Sequence, residues 1–293
     1  MDFCTLCPRK CGADRAKGSG FCGATDKIKI ARCALHFWEE PCISGKNGSG
    51  AVFFSHCTMK CVFCQNYKIS RFGNGKIITE NELANCFLRL ADEGAHNINL
   101  VTPTHYVPQI IEAVRIAKEK GLNIPIIYNS SGYECPETIK MLDGIIDVYL
   151  PDLKYFDDKY AIRYSSAKNY FKTASQAIET MFGQVGKCVF DADGMIKKGV
   201  IVRHLMLPNL LFDSKKVIDY LYRTFSDNIF ISIMNQYTPI SAILKDHPEI
   251  DKKISEKYYY SLIDYAVNLG VKNAYIQEGD TAKESFIPEF YGE

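Results

Sequence analysis

The chain has 293 residues, 47% hydrophobic and 24% charged, enough apolar material for a large core and too little bias for disorder. Lysine and arginine total 35 against 34 acids, a formal net charge of +1, which leaves no electrostatic footprint for nucleic acid or an anionic membrane. The start, MDFCTLCPRKC, lacks the apolar stretch of a signal peptide, and no apolar run approaches the roughly 20 residues of a membrane span, so a cytoplasmic protein is expected.

In chain order, residues 1–50 are rich in Cys, Gly and Lys and show no hydrophobic period. They are expected to form an irregular, metal-stabilised N-terminal extension, with residues 51–293 as the main domain. Of the twelve cysteines, Cys86, Cys135 and Cys188 are scattered and the rest lie in the first quarter of the chain. In a reducing compartment such clustering points to metal or to thiol chemistry. Cys4, Cys7, Cys11 and Cys22 have metal-ligand spacing; four thiolates complete a tetrahedral zinc site or hold a 4Fe–4S cluster, and spacing does not choose between them. Cys33 and Cys42 flank His36-Phe-Trp-Glu39-Glu40. The glycine-rich SGKNGSG that follows is not a phosphate loop, because the Gly-Lys-Ser/Thr order and the following helix are missing.

Beyond residue 50, short apolar runs alternate with amphipathic ones. Strands are predicted at 51–55, 97–101, 125–129, 145–150, 200–205 and 229–234, and helices at 80–93, 108–120, 135–142, 175–182, 213–224 and 252–268. Thr79 and Glu82 have the spacing of a capping box, and Gly121 and Gly270 fit helix ends. Apolar strands alternating with helices imply a parallel α/β sheet. Six units would close most of the way to a barrel, a partial (β/α)6 TIM-type fold; a doubly wound open sheet fits the same pattern.

The segment Ser55-His56-Cys57-Thr-Met-Lys-Cys61-Val-Phe63-Cys64-Gln65-Asn66 places C-x3-C-x2-C directly after the first of these strands. Loops after strands form the functional face of parallel α/β folds. Three thiolates so spaced can ligate three irons of a cubane cluster, leaving the fourth iron open to a substrate such as S-adenosylmethionine (SAM). The alternative on spacing alone is zinc, with His56 or another cysteine as fourth ligand.

These residues resemble the signature of the radical SAM superfamily. The similarity extends through CTLCPRKCG, HFWEEPCISG, FFSHCTMKCVFCQN, NINLVTPTHYVPQI, IYNSSGYE, VYLPDLKYF, VRHLMLPN and IMNQY to relatives of pyruvate formate-lyase activating enzyme (the PflX-like group). The resemblance implies a 4Fe–4S cluster on Cys57, Cys61 and Cys64, and SAM beside Phe63, Gln65 and Asn66. It implies a flavodoxin- or ferredoxin-type electron donor and hydrogen abstraction from a substrate that could be a glycine of a partner protein.

Strand ends supply the polar groups expected around SAM. Thr102 lies in VTPTH, where relatives usually carry a Gly-Gly-Glu type segment; the alternative is a plain turn with Thr104 as a helix cap. Asn129, Ser130 and Gly132 are similar to an Asp-Thr-Asn-Gly segment, with Gly132 permitting close backbone approach. Asp152 and Lys154 resemble a SAM-contacting Asp-x-Lys, and Arg203 could grip a carboxylate. His204 reads as a core group, and Asn235-Gln236-Tyr237 matches weakly. The competing classes are a non-catalytic iron–sulfur carrier or zinc-binding module, which needs no nucleoside pocket, and a thiol redox enzyme, whose C-x2-C pair normally sits at a helix start without a third and fourth thiol.

Overall fold

The computed structural model describes residues 3–277 and residue 290. In chain order the elements are β1 (Ile28–His36), α1 (Pro41–Ser44), β2 (Ser49–Phe54), α2 (Tyr67–Ser70), β3 (Lys76–Ile78), α3 (Glu80–Asp92), β4 (Ile98–Val101), α4 (Val107–Glu119), β5 (Ile126–Ser130) and α5 (Pro136–Lys140). There follow β6 (Val148–Pro151), α6 (Asp158–Ser165), α7 (Tyr170–Val185), β7 (Val189–Phe190), β8 (Ile196–Leu205), α8 (Leu211–Phe225), β9 (Phe230–Met234), α9 (Glu256–Leu269) and β10 (Ala274–Ile276).

The six expected strands are β2, β4, β5, β6, β8 and β9, and they pair in parallel in that order. This is the expected partial TIM-type barrel. Register is continuous across the middle of the sheet, with Val52 beside Leu100, Leu100 beside Tyr128 and Tyr128 beside Tyr149. These strands are buried almost throughout, as parallel strands covered on both faces must be. β10 extends the sheet in parallel beside β9, and β1 and β3 form the other edge in antiparallel fashion.

Residues 28–36 are not irregular, as expected, but form the strand β1 against β2. The reason they were illegible is a register shift between Ile30 and Arg32. It puts Ile28 and Ile30 in one inward phase and Ala31 and Cys33 in the other, which erases the period-2 signal. The boundary expected at residue 50 falls inside β2.

Helix ends follow local chemistry where it exists. Thr79 and Glu82 make the full capping box of α3, whose Leu83, Ala84, Phe87 and Leu90 face the core. Gly270, at φ 103°, ends α9. α7 begins five residues before the expected start, because its first amides are capped from elsewhere: Asp158 accepts from Asn169 N at 2.6 Å and Tyr170 N at 2.8 Å. Among the described residues, no helix is long and apolar enough to cross a membrane.

Candidate active site

The C-terminal ends of β2, β4, β5, β6, β8 and β9 open onto one cavity of about 280 Å³. Its wall includes Cys57, Cys61, Phe63, Cys64, Gln65, Asn66, Thr102, Asn129, Ser130, Asp152, Lys154 and Arg203. Every residue expected around the central site therefore meets in one place, except Gly132.

Gly132 lies just off that wall. Its φ is 74°, and a Cβ built there would stand 2.1 Å from the carbonyl oxygen of Asp152. The close approach it permits here is to the backbone at the end of β6. Thr102 shares the left-handed backbone, at φ 60°, and its amide donates to Asn129 O at 2.8 Å. That turn aims the end of β4 across the cavity. Thr104 is not a backbone cap, since its hydroxyl goes to Glu134.

The cysteine loop is anchored along its whole length. His56 N donates to Ile69 O at 2.8 Å, Lys60 N to Ser165 O at 3.2 Å and Val62 N to Tyr164 O at 2.8 Å. Arg9 Nε reaches Thr58 O at 3.0 Å, and Arg71 donates to Cys61 O at 2.6 Å. The Ser165 hydroxyl donates to Cys61 Sγ at 3.0 Å, and Cys64 Sγ lies 3.3 Å from Ser70 Oγ. α6, which supplies Tyr164 and Ser165, was not expected: it is only eight residues long, and its buried stripe is the single turn Ala161, Tyr164 and Ser165.

Burial pushes the Cys57 thiol up to about 12, and the neighbouring Cys61 and Cys64 reinforce the shift. Cys61 is raised by burial as well, against the opposing pull of Lys154. Ionising Cys57 and Cys61 side by side requires more positive charge than one lysine supplies, and a metal centre would supply it. Among the described residues no three His, Cys, Asp or Glu side chains converge as a single ion requires.

Lys154 and Asp152 form an ion pair at 2.5 Å on the cavity wall, with side chains 15% and 23% exposed, so the pair is not a surface one. Burial disfavours the ammonium, but Asp152 and then the thiols of Cys61 and Cys64 outweigh it and hold Lys154 above its ordinary range. His36, the last residue of β1, and Trp38 and Glu39 just after it complete the wall. Sequence reasoning left this segment's role open. Arg203 donates from Nε to Glu40 Oε1 at 2.8 Å and from a terminal nitrogen to Glu40 Oε2 at 2.5 Å and to Glu39. A grip on an incoming carboxylate thus competes with two resident ones. His204 is buried, held by Leu153 O at 2.7 Å, and lies off the cavity as the core reading expects.

Glu134 sits behind the wall and was not anticipated. It is fully buried, accepts from Thr104 Oγ1 at 2.6 Å and from Tyr128 OH at 3.3 Å, and burial raises its carboxyl to about 7. The fold therefore binds its proton better than the unfolded chain does. The stability this gives is present in full below the ordinary value of 4.5 and is lost as pH rises through about 7. Glu134→Gln, which stays neutral, is expected to gain stability relative to the parent between about pH 5 and about pH 8, by on the order of 3 kcal/mol. Urea unfolding midpoints at the two pH values measure it.

The N-terminal thiols also gather. A Cβ on Gly20 would lie 3.4 Å from Cys11 Sγ and 3.5 Å from Cys22 Sγ. Cys11 is in hydrogen-bond contact with Cys4, and Cys7 feels the charges of Cys22 and Cys4. The segment docks on the barrel through Arg9, through Leu6 O accepting from Thr138 at 2.8 Å, and through Arg15 donating to His105 O at 2.5 Å.

Residues 51–195 match the family described as the radical SAM superfamily. The chain belongs to the radical SAM superfamily. Members of this superfamily bind a 4Fe–4S cluster and SAM. An uncharacterized protein of Methanocaldococcus jannaschii is 29% identical over 281 residues, 92% of this chain and 74% of its own length. A second protein of that organism, provisionally named a glycyl-radical enzyme activating enzyme, is 32% identical over 117 residues, 39% of this chain and 47% of its own. The solved structure of HydG, a maturase of the FeFe-hydrogenase, is similar with a TM-score of 0.52 at 14% identity, over 79% of this chain. The chain spans 52% of the HydG chain, so this likeness concerns the fold. As a radical SAM protein the chain is an enzyme, and the expected class of chemistry stands.

Proposed function

We propose that Cys57, Cys61 and Cys64 ligate a 4Fe–4S cluster and that SAM lies between it and the polar strand ends. The observation that carries this reading is the meeting of the three thiols with Asn129, Ser130, Asp152 and Lys154 on one cavity wall. When bound, the cluster supplies an electron that cleaves the SAM sulfonium to a 5′-deoxyadenosyl radical, which takes hydrogen from the substrate. The residues of this chain do the positioning. Lys154, charged and beside the thiols, pairs with the SAM carboxylate. Asp152 and Asn129 accept from and donate to its hydroxyl and amino groups. Phe63, its ring tilted against Tyr237 at 5.9 Å between centroids, closes the site from the loop side, and Gln65 fixes that closure by donating to Gln236 O at 3.2 Å.

The substrate in this reading is a glycine of a partner protein, which would become a glycyl radical, with a flavodoxin- or ferredoxin-type protein as electron donor. The sequence motifs and the partial match to a provisionally named activating enzyme support it. Cys4, Cys7, Cys11 and Cys22 form a second metal site, zinc or 4Fe–4S, that staples the N-terminal segment. The test is protein reconstituted without oxygen, reduced and given SAM, with 5′-deoxyadenosine, iron and zinc quantified together. Deoxyadenosine with about four or about eight irons per chain is expected, the two counts separating a zinc from an iron second site. Zinc alone with intact SAM would establish the metal-module reading instead.

A further inference from the structure

A second pocket opens on the outer face of the β1 edge, lined by Ile30, Lys76, Ile78, Glu82, Asn85, Cys86 and Arg89. Cys86 lies on α3, half-buried and facing this pocket. Behind it, from β1, stands the buried thiol of Cys33, near enough for the two thiols to influence each other's charge. Arg89, one helical turn after Cys86, turns back over the pair and donates to Cys33 O at 2.8 Å and to Cys33 Sγ at 3.2 Å. Two neighbouring thiols from different elements, one half-buried at a pocket and one shielded, with a guanidinium on the inner sulfur, form the arrangement that thiol–disulfide exchange requires.

We propose that Cys33 and Cys86 are a redox pair that reduces a small, carboxylate-bearing disulfide such as glutathione disulfide. The Cys86 thiolate attacks one sulfur of the small disulfide and expels the first thiolate. Cys33 loses its proton and attacks the Cys86 sulfur of the mixed disulfide, expelling the second. Two electrons and two protons leave the pair, one protein disulfide forms, and the small disulfide becomes two thiols. Lys76 and Arg89 supply cations for its carboxylates. The neighbouring Cys33 thiol draws the Cys86 thiol down to about 7 against the opposing effect of burial. Arg89 and Lys76 add to the lowering, and Glu82 opposes it. Cys86 lines the pocket and Cys33 is buried behind it, so Cys86 is the attacking thiol and Cys33 the resolving one.

The product clamps α3 to β1, the strand that leads into His36, Trp38 and Glu39. This chemistry is independent of the radical reaction, so either reading can fail without the other. The test uses the anaerobically reconstituted holoenzyme, treated with glutathione disulfide, quenched with acid, alkylated and mapped by peptide mass spectrometry. A Cys33–Cys86 linked peptide is expected in the parent. Cys33→Ser is expected to lose the link and retain one glutathione on Cys86, and Cys86→Ser to carry none on Cys33. Recovery of both residues as alkylated thiols would overturn the proposal. So would glutathione on Cys86 of the parent with no linked peptide, since Cys33 would then resolve nothing.

Discussion

Cys61→Ala is expected to lose the central cluster and to form no measurable 5′-deoxyadenosine, while the iron or zinc of the N-terminal set is retained. Cys61 is the most tightly specified of the three thiols. Its sulfur accepts from Ser165, its carbonyl accepts from Arg71, and its charge is felt by Lys154. Removing it leaves two thiols to hold a cube that needs three protein ligands. The fold should survive the change, because the loop backbone is anchored by Arg9, Arg71 and α6 rather than by the sulfur. Iron content, the visible absorption of the reconstituted protein and the deoxyadenosine yield measure the loss. Far-ultraviolet circular dichroism checks that the barrel persists. Unchanged deoxyadenosine would remove Cys61 from the ligand set.

Arg203→Met is expected to cost about 3–5 kcal/mol of stability, the range for breaking a buried ion cluster by removing one partner. Glu39 and Glu40 have side chains 9% and 5% exposed, and Arg203 is shared between them. Burial alone would raise the Glu40 carboxyl, yet Arg203 holds it below its ordinary value. A depressed carboxylate contributes stability above its unfolded value and loses it as pH falls through the folded one. The gap between Arg203→Met and the parent should therefore be widest at neutral pH and narrow in acid, where the stranded carboxylates take up protons. Adding Glu39→Gln and Glu40→Gln to Arg203→Met should restore most of the loss, because no buried charge is then left unpaired. Denaturant midpoints across pH read both effects. A full loss that persists in acid would show that Arg203 acts through packing instead.

What the sequence made legible was what repeats or stays local. The six parallel strands announced themselves through apolar runs, and the capping box of Thr79 and Glu82 through three-residue spacing. The C-x3-C-x2-C loop and the polar residues at the strand ends were readable because a parallel sheet brings all such ends to one rim. Contacts across long separations were not. Ser165 supports Cys61 from 104 residues away, and Arg203 meets Glu40 across 163, with no local signal in either segment. Cys33 and Cys86 looked like unrelated thiols, because the bulge in β1 concealed a strand and with it the neighbour of α3. The positive φ of Gly132 was legible in its residue type, while its close neighbour, the Asp152 carbonyl, was not.

The anchoring of the cysteine loop bears on how readily the site is filled. Ordering a free backbone segment costs roughly 1–2 kcal/mol per residue. Between His56 and Val62 that cost is met during folding, by backbone amides bonded to Ile69, Ser165 and Tyr164 and by two arginines on the carbonyls of Thr58 and Cys61. None of these bonds uses a sulfur. The ligand set is thus preorganised, and assembling or shedding the inorganic centre leaves the loop's entropy nearly untouched. A protein built this way can exchange that centre without refolding around it.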